Sequence, residues 1–543
     1  MDLTPTSAAL TPALALALAG CVTTSPQQPA AAPQPALPPV AAPPWERGSV
    51  AEGSEMPVPN GPLVVIRGAT LWLATGKTIP RGSVVLDKGK IAAVVEGDFA
   101  APEGAVIVDG TGKFVTPGLI DTHSHLGVYP MPGAAAHEDG NEMVGPVTPH
   151  AQVADAFWPQ DPGIQRAVAG GVTAMQVLPG SGNLIGGRAL TVKLRPGLSS
   201  RAMHFRGAPD GLKMACGENP KRVYGTHKQA PMTRMGNLAL QRAAFLSAKK
   251  LQREWERYAE LETKRLVKDA KNKAEYEAKK SERAQREAYC REDPERDPCP
   301  SWLREWREKP LDPPEASDPV EKPARDPGLE TLVAATLGKV LVHIHCYRAD
   351  DMLDMLALAD EIGFSVKSFH HALEAYKIRG ELAARGGMGV STWADWWGFK
   401  LEAYDGIPEN AALVHEAGAR AIIHSDSPEG IQRLNQEAAK AQASGKSAGI
   451  QITDEDAIRW ITANPAWALG VDSRTGTLEP GKEADVVLWT GNPLSVYSSA
   501  EKVWIDGVMV LDRRTMKQPW SDFELGQDPE SSPDLLPTPG GAK

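Results

Sequence analysis

Over residues 61–115 the chain reads as short apolar runs (LVVI, LWL, SVVL, IAAVV, VIV) cut by Gly-containing turns. The turns recur at intervals of about 8–12 residues, a spacing that predicts an antiparallel sheet. The stretch GTLEPGKEADVVLWTGNPLSVYSSAEKVWIDGVMVLD, residues 476–512, has the same texture. Between the two, over 118–470, the period changes. VLVHIHC (340–346), GFSVKSFHH (363–371), GMGVST (387–392) and ARAIIHSD (419–426) are short and largely apolar, and predict strands. ADDMLDMLALADEI (349–362), LEAYKIRGELAARG (373–386) and NAALVHEAG (410–418) predict helices. Strand–helix units in series make a parallel sheet, and about eight of them close into a barrel with its reactive groups at the C-terminal strand ends.

Three regions depart from this pattern. Residues 236–328 form an insertion whose first part, SAKKLQREWERYAELETKRLVKDAKNKAEYEAKKSERAQREAYC, is dense in Lys, Arg and Glu. It predicts a long solvated helix or helical hairpin, followed by a Pro-rich return. A surface insertion is the plain reading; a docking arm or a cover over the site is the sharper one. At the N-terminus, ALTPALALALAGC is apolar but too short to span a bilayer. Leu18-Ala19-Gly20-Cys21 resembles a bacterial lipoprotein cleavage box. It predicts a signal segment over 1–20, lipidation at Cys21 and a protein anchored in the cell envelope, facing the periplasm. The stretch MDLTPTS carries Asp2 and no basic residue, a departure from export signals. Residues 21–59, rich in Pro and Ala, read as a tether, and 516–543 as a C-terminal tail.

Net charge is −10 and the pI about 5.7, which argues against a nucleic-acid partner. With 42% hydrophobic residues in 543, the chain can bury a sizeable core. Of the five cysteines, Cys216 and Cys346 read as buried thiols near strand ends. Cys290 and Cys299 could pair locally in an exported protein.

The candidate chemistry lies in histidines. His123 and His125 stand one residue apart where an apolar run ends, in VTPGLIDTHSH. Side chains alternate along a strand, so both imidazoles point to one side. They can converge on one cation, and zinc accepts His nitrogen and carboxylate oxygen. His343 and His345 repeat the pattern, His370 and His371 end a third strand, and HSDSP supplies Asp426 at a fourth. Burying polar groups at four strand ends is costly unless they share a partner, and a metal is the simplest one. In LPGSGNLIGGRALTVKL, Asn183 and Arg188 read as loop residues, and Arg188 could clamp a substrate carboxylate.

PGLIDTHSH, flanked by IVDGTGKFV before it and GTLEPGKEADVVLW far downstream, resembles the amidohydrolase superfamily. Within it, the chain is most similar to the imidazolonepropionase-like and prolidase-like branch, over about 60–515 apart from the insertion. The resemblance implies an α/β fold: a distorted (β/α)8 TIM barrel over 118–470, plus a small β-sandwich built from 60–117 and 471–515. It implies one or two divalent metals, usually zinc. His123, His125, His343, His371 and Asp426 match metal-ligand positions; His371 is preferred over His370 because it opens the turn into HALEAYK. Lys213 or Glu218 would bridge the metals. Asp426 would also be the catalytic base, and His345, His370, Arg188 and Asn183 would support the ligands or the substrate. The implied activity is hydrolysis of a C–N bond in an amide, peptide-like or cyclic amide small molecule by a metal-activated water. A deaminase on the same barrel and a non-catalytic envelope protein are the alternatives, and a homo-oligomer stays open.

Overall fold

A computed structural model of the chain describes residues 37–46, 61–293, 295, 299, 301–302, 305 and 309–515. The expected signal segment, Cys21, most of the tether and the chain beyond 515 lie outside these residues. The described residues fall into two compact units, 41–260 with 321–515 and, separately, 37–40 with 261–320.

The larger unit holds two sheets. The first is built from both ends of the chain. Its strands are β1 (Val64–Trp72), β2 (Thr78–Asp87), β3 (Lys90–Glu96), β4 (Val106–Asp109) and β5 (Phe114–Pro117). Three more come from the far end: β14 (Val486–Trp489), β15 (Ala500–Ile505) and β16 (Val508–Asp512). They lie in the order β16-β15-β14-β5-β1-β2-β3, with β4 on β1. Val64, Ile66, Leu71, Val84, Leu86, Val486, Leu488 and Trp504 form its core.

The second sheet is the barrel wall: β6 (Leu119–Ser124), β7 (Val172–Val177), β8 (Ile185–Lys193) and β9 (Gly211–Ala215), then β10 (Leu341–Cys346), β11 (Val366–His371), β12 (Gly389–Thr392) and β13 (Arg420–Ile423). Neighbours follow chain order. Every pair is parallel except β7–β8 and β8–β9. The reason is local. LPGSGNL, the only chain between β7 and β8, is too short for the dozen or so residues that a parallel crossover needs. At the open seam the Asp426 amide donates to the His123 carbonyl (2.9 Å), drawing the first and last strands together.

This hairpin corrects one expectation. Arg188 lies in strand β8, not in a loop. It pairs in register with Leu212, one residue out of phase with Lys213, and so takes the opposite face of the wall. There it forms an ion pair with Asp210 (2.6 Å).

A single helix, Arg234–Glu292, follows β9. Its first turns are not a solvated insertion. Asn237, Gln241, Phe245, Ala248, Leu251 and Trp255 are buried at helical spacing, and Phe245 stacks on Phe364 (4.7 Å). The outer face is charged from these turns onward, where Lys250 approaches Glu254 (3.9 Å), and the charge continues through the smaller unit. There Arg265 pairs with Glu262 and Asp269, Lys271 approaches Glu275 (3.9 Å), and Arg283 pairs with Glu287 (2.8 Å).

Cys216 and Cys346 are not thiols. They form a disulfide, because the register of β9 and β10 brings their C-terminal ends to a Cα–Cα distance of 5.3 Å. Cys290 and Cys299 form a second one within the smaller unit. Among the described residues no helix is long and apolar enough to cross a membrane.

Candidate metal centre

At the end of β6, His123 and His125 turn into the barrel mouth. The Asp121 carboxylate anchors them by accepting from the His123 amide (3.0 Å), the Ser425 amide (3.1 Å) and the Ser425 hydroxyl. The first and last barrel strands are thereby tied at one point. Asp426 Oδ1 then lies 3.5 Å from His123 Nε2 and 3.2 Å from His125 Nε2. His125 Nδ1 donates to the Leu178 carbonyl (2.8 Å), which fixes the ring with Nε2 turned toward Asp426.

From β11 and the chain after β13 come His371 and His424. The His371 amide donates to His424 Nε2 (3.3 Å), and His371 Nδ1 is 3.8 Å from Asp426 Oδ2. His371 and Asp426 both have positive φ, +69° and +46°. Such backbone is costly for residues other than glycine and clusters at functional sites. One nitrogen or oxygen from each of His123, His371 and His424 lies within 4.8 Å of the others, and the same holds for His123, His125 and Asp426.

Deeper in the barrel, His370 bridges two other rings. Its Nδ1 is 2.9 Å from His123 Nδ1 and its Nε2 3.0 Å from His343 Nδ1. Lys213, in register beside His343, places Nζ 3.4 Å from His123 Nε2 and donates to the Pro179 carbonyl (2.9 Å). His345 meets the Asn219 amide (3.3 Å) and packs its ring against His371 (4.5 Å). Neither His343 nor His345 belongs to the two groups above.

The electrostatics favour neutral imidazoles. Burial pushes His343 and His424 down to about 3. Burial, with neighbouring positive charge, holds His123, His345, His370 and His371 well below the usual histidine range. Burial also draws Lys213 down to about 8. For Asp426 burial works upward, but the His125 hydrogen bond and nearby positive charge hold it below the usual carboxylate range. His343 Nε2, His345 Nδ1, His371 Nδ1 and His424 Nδ1 are buried without a hydrogen-bond partner. Buried imidazole nitrogens without partners, in a cluster that includes a carboxylate, fit a divalent cation better than they fit each other.

Two further expectations are corrected. The Glu218 carboxylate sits at a helix start 3.6 Å from Lys400 and in neither ligand group, so of the two bridging candidates it is Lys213 that stands among the histidines. Asn183 is saturated. Its amide donates to the Glu142 and Gly145 carbonyls and Thr148 Oγ1, and its oxygen accepts from Tyr224. It shapes the loop over 141–148 and has no capacity left for a substrate. The sequence reading missed His424, although His424-x-Asp426 repeats the alternation that flagged His123 and His125. It also missed Trp393, whose ring stacks on His371 (4.4 Å).

The sequence profile of the Amidohydrolase family matches residues 402–515. An amidohydrolase of known structure from Thermotoga maritima MSB8 is 33% identical. The match covers 83% of this chain and all of that one, with a TM-score of 0.65. This chain belongs to the amidohydrolase family. Amidohydrolase tasK of Hapsidospora irregularis is 32% identical over 487 residues, 83% of this chain and 44% of tasK. A 5'-deoxyadenosine deaminase of Methanothermobacter thermautotrophicus is 36% identical over 72 residues, 13% of this chain and 16% of that one. The chain thus spans under half the length of these curated relatives. In this amidohydrolase the His/Asp cluster lies at the C-terminal mouth of the barrel.

Proposed function

We propose that this amidohydrolase hydrolyses a C–N bond of an amide, peptide-like or cyclic amide small molecule, with a divalent metal, zinc by preference, in the His/Asp cluster. The observation that carries the reading is the approach of three imidazole nitrogens, from His123, His125 and His371, to Asp426 within 3.8 Å, with His371 Nδ1 and His424 Nδ1 buried without a hydrogen-bond partner. His123, His125, His371, His424 and Asp426 would hold the ion, with Lys213 and His343 behind them. When bound, the metal supplies Lewis acidity and lowers the pKa of water toward neutrality.

The chain's own residues do the rest. Asp426, ionised and facing three imidazoles, accepts the proton of the attacking water at a carboxylate oxygen and returns it to the departing nitrogen. Burial keeps the imidazoles neutral and their lone pairs available, and it draws Lys213 down beside His123, so that the lysine would give up its proton and face the ion with them. Trp393 seals one side: it stacks on His371 and donates its indole N–H to the Ser425 carbonyl (2.9 Å), excluding water there.

A place outside the cytosol, anchored through Cys21, is part of the proposal. Two disulfides support it, because disulfides persist in oxidising compartments.

The test is elemental analysis of protein purified without chelator, followed by a panel of N-acyl amino acids, dipeptides, lactams and aminopurines scored for amine or ammonia release. Bound zinc with amine release supports the reading. Ammonia release from aminopurines alone would make the enzyme a deaminase, and a folded protein that takes up no metal would refute the proposal.

A further inference from the structure

Residues 393–404, WADWWGFKLEAY, leave the barrel beside His371. Trp393 lies on the His371 ring, Trp396 packs on Trp393 (5.4 Å), and Phe399 packs on Trp393 and Tyr347 (6.0 and 6.1 Å). Trp393 is buried, yet Trp396 and Phe399 are 42% and 57% exposed. Apolar surface therefore runs without a break from a metal-centre histidine out to solvent.

Into this surface the same segment sets an ammonium group. Lys400 Nζ lies 4.0 Å from the centre of the Tyr347 ring, and that ring stacks on His371 (5.1 Å, 16°). Lys400 donates to Asn219 Oδ1 (2.9 Å), and the Asn219 amide meets His345. Two carboxylates also flank it, at longer range than Asn219. Glu218 is 3.6 Å away, and Glu402, 3.8 Å away, is held by Arg234. One ring separates this ammonium from His371, and one amide separates it from His345.

We propose that Lys400 is the substrate anchor of this site. Its ammonium takes the carboxylate of an amide substrate whose acid-bearing half carries a large apolar or aromatic side chain, and Trp396 and Phe399 cover that side chain. The inference rests on the hydrolytic reading above and adds to it the class of compound. A carboxylate makes a charge-assisted hydrogen bond with the ammonium, and that bond strengthens where rings displace water. A carboxamide end forgoes the charge, and an ammonium end meets like charge. The exposed rings favour an aromatic or large aliphatic neighbour over hydrogen.

The experiment uses the full-length, zinc-reconstituted protein with N-acetyl-L-phenylalanine, its C-terminal carboxamide and N-acetylglycine. Losing a hydrogen bond to a charged group is worth about 10–100-fold, so the acid should exceed the carboxamide in kcat/KM by that factor. Lys400→Gln should bring the acid-to-carboxamide ratio to near unity, mainly through KM, and Lys400→Arg should restore part of it. Phe399→Ala should narrow the preference for phenylalanine over glycine and leave the acid-to-carboxamide ratio in place. Equal turnover of acid and carboxamide by the wild type overturns the inference. So does an unchanged ratio in Lys400→Gln protein that melts like wild type. If none of the compounds is hydrolysed, the hydrolytic reading is at fault, and calorimetric titration of the same acid and carboxamide decides the anchor separately. Tighter binding of the acid that is lost in Lys400→Gln supports it. Equal binding, binding retained in the variant, or no binding of the acid up to about 10 mM overturns it.

Discussion

Lys213 Nζ lies 3.4 Å from His123 Nε2, and both side chains are sealed from solvent. Two groups that both take up protons cannot both be charged at that distance in a dry site. Burial draws the lysine to about 8 and holds the histidine far below its usual range. The pair is thus ready to give up protons and face a cation. Lys213→Met should lower zinc affinity at least about tenfold, the loss typical of removing even an outer partner of a ligand. Glu218→Gln, whose carboxylate is engaged by Lys400, should leave affinity near wild type. Competition with a chromophoric chelator measures both, and the reverse ranking would assign the bridging position to Glu218.

Asp426 carries the proton in the proposed chemistry. Asp426→Asn is the informative change, because asparagine tolerates the positive φ found there and keeps one oxygen. An amide has no useful basicity near neutral pH, so kcat should fall by about 10²–10⁴ with a smaller change in KM. Near-wild-type turnover in steady-state kinetics would remove Asp426 from the proton path.

The buried histidines predict how the metal-free protein responds to acid. His343 and His424 have folded values of about 3 against an ordinary 6.5. Between those values the unfolded chain binds more protons than the folded one, so stability rises with pH. Their contribution is complete above 6.5 and is lost as pH falls toward 3, at up to about 1.4 kcal/mol per pH unit for each group. The melting temperature of chelator-treated protein should therefore drop steadily from pH 7 to pH 5. A flat profile would mean that these rings are not buried as neutral groups.

The buried face of the long helix ends near the boundary between the two units. Residues 261–320 contribute a separate compact unit, and Lys322 lies over the Trp255 ring (5.3 Å), so the chain re-enters the body close to where it leaves. Replacing 261–320 by a short Gly-Ser linker should preserve cooperative unfolding. Replacing 240–325 should abolish it, because Phe245, Leu251 and Trp255 go with it. At about 3–5 kcal/mol for each large aromatic lost, the deficit approaches the whole stability of a domain. Denaturant titration of the two deletions distinguishes them.

The Cys216–Cys346 disulfide closes a sequence separation of 130 residues and ties the ends of β9 and β10. A loop of that size is worth about 4–5 kcal/mol in the chain-entropy view. Protein made in an oxidising compartment should lose melting temperature in Cys216→Ser, and reductant should lower the wild type to match. Free-thiol titration showing Cys216 and Cys346 reduced in protein isolated from its native cells would remove the disulfide from the case for export.

Much of this molecule is written in local pattern. The short apolar runs and Gly-containing turns over 61–115 and 476–512, the strand–helix alternation between them and the spacing of His123 and His125 are properties of neighbouring residues. Strand alternation alone turns such histidines to one side. The family signature, PGLIDTHSH with its distant companion GTLEPGKEADVVLW, is likewise carried by the chain. Closure of the barrel decided the rest, since it sets which strand ends meet. It brought Lys213 rather than Glu218 to His123, added His424 to the cluster and turned Arg188 away on an antiparallel strand. It joined Cys216 to Cys346 and gave the first turns of a charged helix a buried face. Each of these rests on contacts between residues far apart in sequence, whose energy depends on shared burial. No local period encodes that burial.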